Sequence, residues 1–311
     1  MLPDNSGKRG GYAGAAVWGS SPSIDAKRNH IYIATGNLYS APPRIFQCQE
    51  KQNNQTPSGP DECIEPENHS NSVLALDLDS GDIKWSRQLG GYDVWFLACS
   101  NPSTPGCPPG LNLVADFSEA PMVLNLCING TYQDIVVAVQ TRGLDWSLHR
   151  DNGTLVWSIN TGPGEVGGGG YWGAATDNKV VYTNIANSGF KNFTLRHSTR
   201  NTSAGGWVDM DAQTGDIQWS TANPINATAS GPVTLANGVL FGGSTYKTGP
   251  IYALDAEIGA ILWSHDTGAT IFGGASVSDG CTFIGSGYKS GIGFIIPHYI
   301  AGTSLFAFFN K

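Results

Sequence analysis

One phrase recurs four times in a single register, and it limits this chain more than any other feature. It runs Leu76-Asp77, then Gly81-Asp82-Ile83-Lys84-Trp85. It returns as Leu148-His149 with Gly153-Thr154-Leu155-Val156-Trp157, as Met210-Asp211 with Gly215-Asp216-Ile217-Gln218-Trp219, and as Leu254-Asp255 with Gly259-Ala260-Ile261-Leu262-Trp263. Each copy reads as a hairpin. A strand of alternating residues ends at the Asp, whose side chain can bond turn amides. The Gly supplies a positive φ, and a second alternating strand ends in the Trp. An indole at the same place in every copy suits a dock between neighbouring sheets, where a large ring buries much area.

The segments upstream repeat as well. Ser21-Pro22-Ser23-Ile24-Asp25 precedes His30-Ile31-Tyr32-Ile33, and Ala174-Ala175-Thr176-Asp177 precedes Val180-Val181-Tyr182. Gly231-Pro232-Val233-Thr234 precedes Gly238-Val239-Leu240-Phe241, and Gly274-Ala275-Ser276-Val277 precedes Gly280-Cys281-Thr282-Phe283. Each unit is therefore expected to hold four strands, which is the blade of a β-propeller. Trp219 and Trp263 are 44 residues apart, a blade-like period. The wider spacings before them predict loop insertions near 39–72, 87–119 and 186–205. The expected fold is all-β: one partial propeller domain over residues 1–311, with about four blades and a partial fifth. The segment Ser304-Leu305-Phe306-Ala307-Phe308 reads as a third strand without the Trp-bearing fourth.

Composition agrees, with 41 Gly, nine Trp and only 14% charged residues, a poor match to a helical bundle. The net charge of −8 comes without a Lys/Arg cluster, which argues against nucleic acid as a partner. No apolar run reaches the length of a membrane span, since Pro297, His298 and Gly302 break the stretch from Gly293 to Phe309.

Cys48 and Cys63 bracket a polar, Pro-rich loop, and Cys99 and Cys107 bracket a second; both pairs read as local disulfides. Cys127 and Cys281 lie in apolar runs and read as buried free thiols. Asn-x-Ser/Thr sequons stand at Asn54, Asn68, Asn129, Asn152, Asn192, Asn201 and Asn226. Disulfides and sequons together predict a secreted, glycosylated protein. The opening Met1-Leu2-Pro3-Asp4 carries neither a basic start nor an apolar stretch. Either the protein is not secreted or its leader lies outside this sequence.

Together, "WGSSPSIDAKRNHIYIATGN", "LDLDSGDIKW" and "GGASVSDGCTFIGSGY" resemble the pyrroloquinoline quinone (PQQ) dependent, or quinoprotein, alcohol dehydrogenases. The nearest branch is the polyvinyl-alcohol-dehydrogenase-like proteins, including secreted plant members. The resemblance covers nearly the whole chain and corresponds to the C-terminal part of an eight-bladed propeller. It implies PQQ and Ca²⁺ as cofactors, a small or polymeric alcohol as substrate, and an electron acceptor that the sequence does not identify.

The resemblance also implies roles for residues. Trp18, in Val17-Trp18-Gly19, matches the ring that stacks on the quinone. Asn37, in Thr35-Gly36-Asn37, matches the calcium ligand, and Asp93, in Gly91-Tyr92-Asp93-Val94-Trp95, matches the general base that also reaches the metal. Gly273 and Gly274, opening the last of the three segments, are expected beside the cofactor. The segment Gln140-Thr141-Arg142-Gly143 stands where the family carries a Lys or Arg that contacts PQQ. Thr141 takes that place, with Arg142 beside it. The family's metal-binding Glu falls in a segment this chain lacks. As residues alone, Trp18 also suits a core tryptophan, Asn37 a turn and Asp93 a solvated loop. A catalytically silent propeller that binds a protein or glycan at its rim is therefore the alternative expectation.

Overall fold

The structure, a computed structural model, describes residues 2, 11–18, 21–52, 62–63, 65–89, 93–100, 103–104, 114–128, 130–164 and 167–309. Cys107, Asn54 and Asn129 lie outside them. The protein is an all-β chain of four-stranded antiparallel sheets, the blades of a β-propeller. The first sheet holds Ser23–Asp25, His30–Ala34, Ser72–Asp77 and Ile83–Gln88. The second holds Met122–Ile128, Thr131–Val139, Leu144–His149 and Leu155–Asn160. The third holds Ala175–Thr176, Val180–Ile185, Gly206–Asp211 and Ile217–Ala222. The fourth holds Thr234–Ala236, Val239–Gly243, Pro250–Asp255 and Ile261–Asp266. A fifth sheet has three strands, Ser276–Ser278, Cys281–Gly285 and Leu305–Phe309. Within every sheet the strands pair in chain order, as short hairpin connections dictate. The chain divides into two compact units, one of residues 1–142 and 146–156, the other of residues 143–145 and 157–311.

The repeated phrase forms the hairpin its residues call for. Oδ1 of Asp77, Asp211 and Asp255 each accepts two turn amides, at 2.8–3.2 Å. In the second sheet His149 replaces the Asp, and the Asn152 carboxamide accepts the Thr154 amide instead, at 3.0 Å. Trp85, Trp157 and Trp219 then dock on the following repeat. The indole N–H of Trp85 donates to the Arg150 carbonyl at 2.9 Å, that of Trp157 to Ala212 at 2.9 Å and that of Trp219 to Ala256 at 3.0 Å. The ring of each lies flat over the next turn's glycine. A Cβ on Gly153, Gly215 or Gly259 would meet it at 2.6, 2.7 and 2.4 Å. Glycine is thus required twice over at these turns, by a φ of 68–78° and by the ring above. Trp263 differs from these three in its surroundings. It is 40% exposed and packs against His265 and Phe308.

Two features depart from expectation. The 39–72 insertion is not all loop, because Pro43–Gln52 forms an α-helix. Pro43 opens it, at a position where a missing amide costs nothing, and no breaker follows for ten residues. Cys48 on this helix is joined to Cys63 by a disulfide, as the spacing predicted. Cys99 is also disulfide-bonded. The second departure is Cys127, which is free but exposed, while Cys281 is half-buried. Alternation places Cys127 on the outer face of its strand, between Leu126, which is buried, and Ile128. The 186–205 insertion folds back as a small hairpin of Phe193–Thr194 and Asn201–Thr202.

Candidate active site

The segment 35–38 is held from both sides by backbone bonds. The Ala15 amide donates to the Asn37 carbonyl at 2.7 Å, and the Gly36 amide donates to Ala16 at 2.8 Å. On the other flank, the Thr35 amide donates to Ser72 and the Asn71 amide to Gly36, both at 2.9 Å. Leu38 then pairs in parallel with Val94, and the Trp95 amide donates to the Leu38 carbonyl at 2.8 Å. Behind this strip the helix contributes Ile45, packed with Tyr12, Leu38, Ala41 and Val94. Asn37 and Asp93 thus project from two paired segments backed by one small apolar cluster.

The consequence is close approach. The Asn37 carboxamide donates to the Asp93 carboxylate at 3.3 Å and to the Trp95 carbonyl at 2.7 Å. The Asp93 carboxylate also accepts the Ala115 amide at 2.5 Å and the Asn71 carboxamide at 3.3 Å. Asn37 is 1% exposed and Asp93 is 2% exposed, so Asp93 is not a solvated loop residue. Burial and the neighbouring Asp116 carboxylate push the Asp93 carboxyl well above its ordinary pKa, against the pull of its amide bonds. Arg142 is partly buried in the same unit. Burial lowers its pKa, and the field of Asp93 offsets part of that effect.

The structure brings Trp18, Asn37 and Asp93 into the neighbourhood of one residue that sequence reasoning missed, with Arg142 in the field of Asp93. Asp116 accepts the Asn37 backbone amide at 2.5 Å, and its carboxylate is hydrogen-bonded by the Trp18 side chain. Burial raises its pKa to about 6. Asn71 was missed too. A positional signal exists for Asp116: Pro121 stands four residues after Phe117, as Pro22 stands four after Trp18. Asp116 therefore adjoins the place equivalent to Trp18 one repeat later. Thr141 does not present its side chain here. It is fully buried, and its hydroxyl donates to the Val114 carbonyl at 2.8 Å, bracing the segment that carries Asp116. Gly273 and Gly274 belong to the second unit, where both are exposed. Gly273 has open space around it, and Gly274 packs against Pro232.

Among the described residues no three His, Cys, Asp or Glu side chains gather as a metal-binding group. The set around Asn37 is different: two buried carboxylates and two carboxamides, all hard oxygen donors of the kind that suits Ca²⁺. Asn71 Oδ1 is buried with no hydrogen-bond partner, an oxygen left available beside Asp93. These donors fit a hard divalent cation.

Similarity to known proteins extends over most of the chain. A family profile described as outer membrane protein assembly factor BamB matches residues 146–271 and, overlapping, 204–294. The chain is similar to polyvinylalcohol dehydrogenase of Sphingopyxis sp. (strain 113P3), with 24% identity over 307 residues, 89% of this chain and 41% of that protein. It is 25% identical over 304 residues to a polyvinylalcohol dehydrogenase of Pseudomonas sp., with the same coverage. The chain thus spans about two fifths of the length of the curated relatives it matches. Among solved structures it is similar to a quinohemoprotein alcohol dehydrogenase from Comamonas testosteroni, with a TM-score of 0.59 and 17% identity over 88% of this chain and 44% of that one. A europium-containing methanol dehydrogenase gives a TM-score of 0.58 and 15% identity over 90% of this chain and 53% of that one. At such identity these structures speak for the propeller fold alone.

Proposed function

We infer, for a chain that belongs to the PQQ-dependent alcohol dehydrogenase family, that it is an alcohol-oxidising quinoprotein. Its curated relatives, both polyvinylalcohol dehydrogenases, support an oxidoreductase acting on an alcohol, small or polymeric. The observation that carries the reading is the clamp on Asn37: its carboxamide on Asp93 and its backbone amide on Asp116, with the Trp18 ring against the same carboxylate.

In this reading Asn37 and Asp93 would hold Ca²⁺, and Trp18 would contact PQQ. When bound, PQQ is the two-electron acceptor and Ca²⁺ the Lewis acid beside it. The Asp93 carboxylate takes the hydroxyl proton of the alcohol. It is poised for this by the Ala115 amide and the two asparagine carboxamides, which fix both of its oxygens. Burial of Asp93 and Asn37 keeps bulk water from the carboxylate. Arg142 offers positive charge near Asp93, in place of the basic residue expected at Thr141. No helix among the described residues is long and apolar enough to cross a membrane. We place the protein outside the cell, where its disulfide and exposed sequons belong.

The test is a titration of the chain with PQQ and Ca²⁺, following Trp fluorescence and dye reduction with a panel of alcohols. Calcium-dependent quenching with turnover is expected. Asp93→Asn is expected to lower turnover by about 10²–10⁴-fold. No PQQ binding, or turnover unchanged in Asp93→Asn, overturns the reading. Thr141, buried where a cofactor contact was expected, favours a second reading: a non-catalytic propeller. Failure of the PQQ titration would favour that one.

A further inference from the structure

We propose that the cleft under the 186–205 insertion is the seat of an N-linked glycan that this chain carries on Asn226. The inference rests on the reading that the chain is secreted, because such glycans are added on that route.

The cleft holds about 860 Å³. Its floor is the strand Ile217–Ala222. One wall is the hairpin of the insertion, and the other is the turn of the next repeat at 257–260. The hairpin is fixed to the floor. The Arg196 amide donates to Ser220 Oγ at 2.7 Å, and His197 Nε2 donates to the Ile217 carbonyl at 2.8 Å. The Leu195 amide closes the loop on the Arg200 carbonyl at 2.9 Å. His197 and Thr199 sit at φ 62° and 51°, a conformation that persists only where the surroundings impose it.

The groups that face this cleft are not used by the protein itself. Among the described residues the guanidinia of Arg196 and Arg200, the Gln218 carboxamide and the Glu257 carboxylate have no hydrogen-bond or ion-pair partner. Beside them lie Ile258, 65% exposed, and Ile261, 36% exposed. Donors, an acceptor and small apolar faces interleave here. That pattern complements a sugar chain, whose rings carry hydroxyls at their edges and C–H groups on their faces.

Asn226 supplies the sugar. It opens the sequon Asn226-Ala227-Thr228 and stands on the rim of the cleft. Its amide donates to the Asn223 carbonyl at 3.1 Å, and its φ is 52°, so it sits at the end of a tight turn. Its Oδ1 accepts the hydroxyl of Ser203, on the insertion, at 3.3 Å. Its Nδ2 is left unbonded among the described residues, on an exposed side chain. In the modification Nδ2 forms a bond to the anomeric carbon of an oligosaccharide carried on a lipid diphosphate. The anomeric C–O bond breaks, the lipid diphosphate leaves and Nδ2 gives up one proton. Attachment makes the later docking intramolecular, so contacts too weak to hold a free sugar hold a tethered one. Asn226 also borders a hollow at Tyr246 and His298, but its volume of about 220 Å³ falls below the range of about 300–1,000 Å³ usual for ligand sites.

The test is native trypsin digestion of the chain secreted from a eukaryotic host. The background is Asn192→Gln with Asn201→Asp, which removes the two sequons next to the hairpin in sequence. With glycan on Asn226, cleavage after Arg196 and Arg200 is expected to be about tenfold slower than in the same background with Asn226→Gln. Cleavage after Lys27, on an exposed turn of the first sheet, is the internal reference and is expected to be equal in both. Equal rates at the hairpin with Asn226 occupied overturn the proposal, leave the cleft to a ligand from solution, and leave secretion standing. Asn226 unoccupied while other sequons carry glycan overturns it too. A chain that is not exported and carries no glycan removes the secretion reading and the proposal together. Should the hairpin resist trypsin in both forms, Arg196→Ala with Arg200→Ala is expected to speed release of the Asn226 glycan from the folded chain by an endoglycosidase about tenfold. An unchanged release rate there overturns the proposal.

Discussion

Gly36 carries a constraint that reaches two neighbouring side chains at once. A methyl group on its Cα would strike the Asp116 carboxylate and the Trp18 indole. Gly36→Ala is therefore expected to cost about 1–3 kcal/mol of stability by overpacking and to weaken PQQ binding, as read by denaturant melts and Trp quenching. Asp209 allows a separate test, away from the candidate site. It is 1% exposed. Oδ1 accepts the Gln218 and Trp219 amides, at 3.1 and 2.6 Å, and Oδ2 has no partner. Burial raises its pKa to about 6, against the pull of the Trp219 and Gln218 amides. The folded state thus keeps this proton to higher pH than the unfolded chain, whose carboxylates titrate near about 4. The stability tied to Asp209 is complete below about 4 and lost as pH rises through about 6. Asp209→Asn keeps an acceptor for the two amides and does not titrate. Its melting temperature should change less than the parent's between pH 4 and 7 and lie above it at pH 7. Equal pH slopes would contradict the assignment. At this scale Trp18, Asn37 and Asp93 were legible because they sit in short phrases that resemble a known family. Asp116 and Asn71 were not, because neither belongs to such a phrase. Asp116 meets Asn37 across a separation of 79 residues, which only the folded sheets bring together.

The sheets were almost fully legible, since one hairpin phrase fixes a turn, two strands and a docking ring. What escaped was the helix at 43–52, where no long apolar periodicity marks a 10-residue segment. The Arg28 and Arg150 cluster escaped as well. Arg150, 3% exposed, pairs with Asp25 at 3.0 Å and Asp134 at 2.9 Å. Arg28 reaches the same two acids and Asp151. These charges are scattered in sequence and carry no motif. The docking of the repeats makes a graded prediction. Trp219→Ala removes a ring that is 6% exposed, together with its bond to Ala256, and should cost about 3–5 kcal/mol. Trp263→Ala, at 40% exposed, should cost about half of that or less. Similar losses in equilibrium unfolding would show that the ring's own sheet, and not the next repeat, provides its stability.

Across the whole chain, covalent chemistry can be checked against the fold. Reducing Cys48–Cys63, which closes a 15-residue loop, is expected to remove about 3 kcal/mol. Of the sequons, Asn152, Asn192, Asn201 and Asn226 are exposed, whereas Asn68 is 2% exposed and its carboxamide accepts the Ser70 amide at 3.2 Å. Peptide mapping of the chain secreted from a eukaryotic host should find glycan within the exposed set and none at Asn68. An occupied Asn68 would contradict the burial described above. The stacking of each indole on the following turn has one more consequence. Every seal is shared between two adjacent copies and always runs in the same direction. Losing or duplicating one complete internal copy in frame leaves every ring that is followed by another copy facing a glycine, so the gene can change length by whole copies without opening a seam between them. Damage behaves differently. A change at Gly259 should couple energetically with one at Trp219, its neighbour's ring, and not with one at Trp263 in its own copy. Inheritance in such a chain would then follow the junctions between copies, and those junctions, more than the copies themselves, are what selection must keep matched.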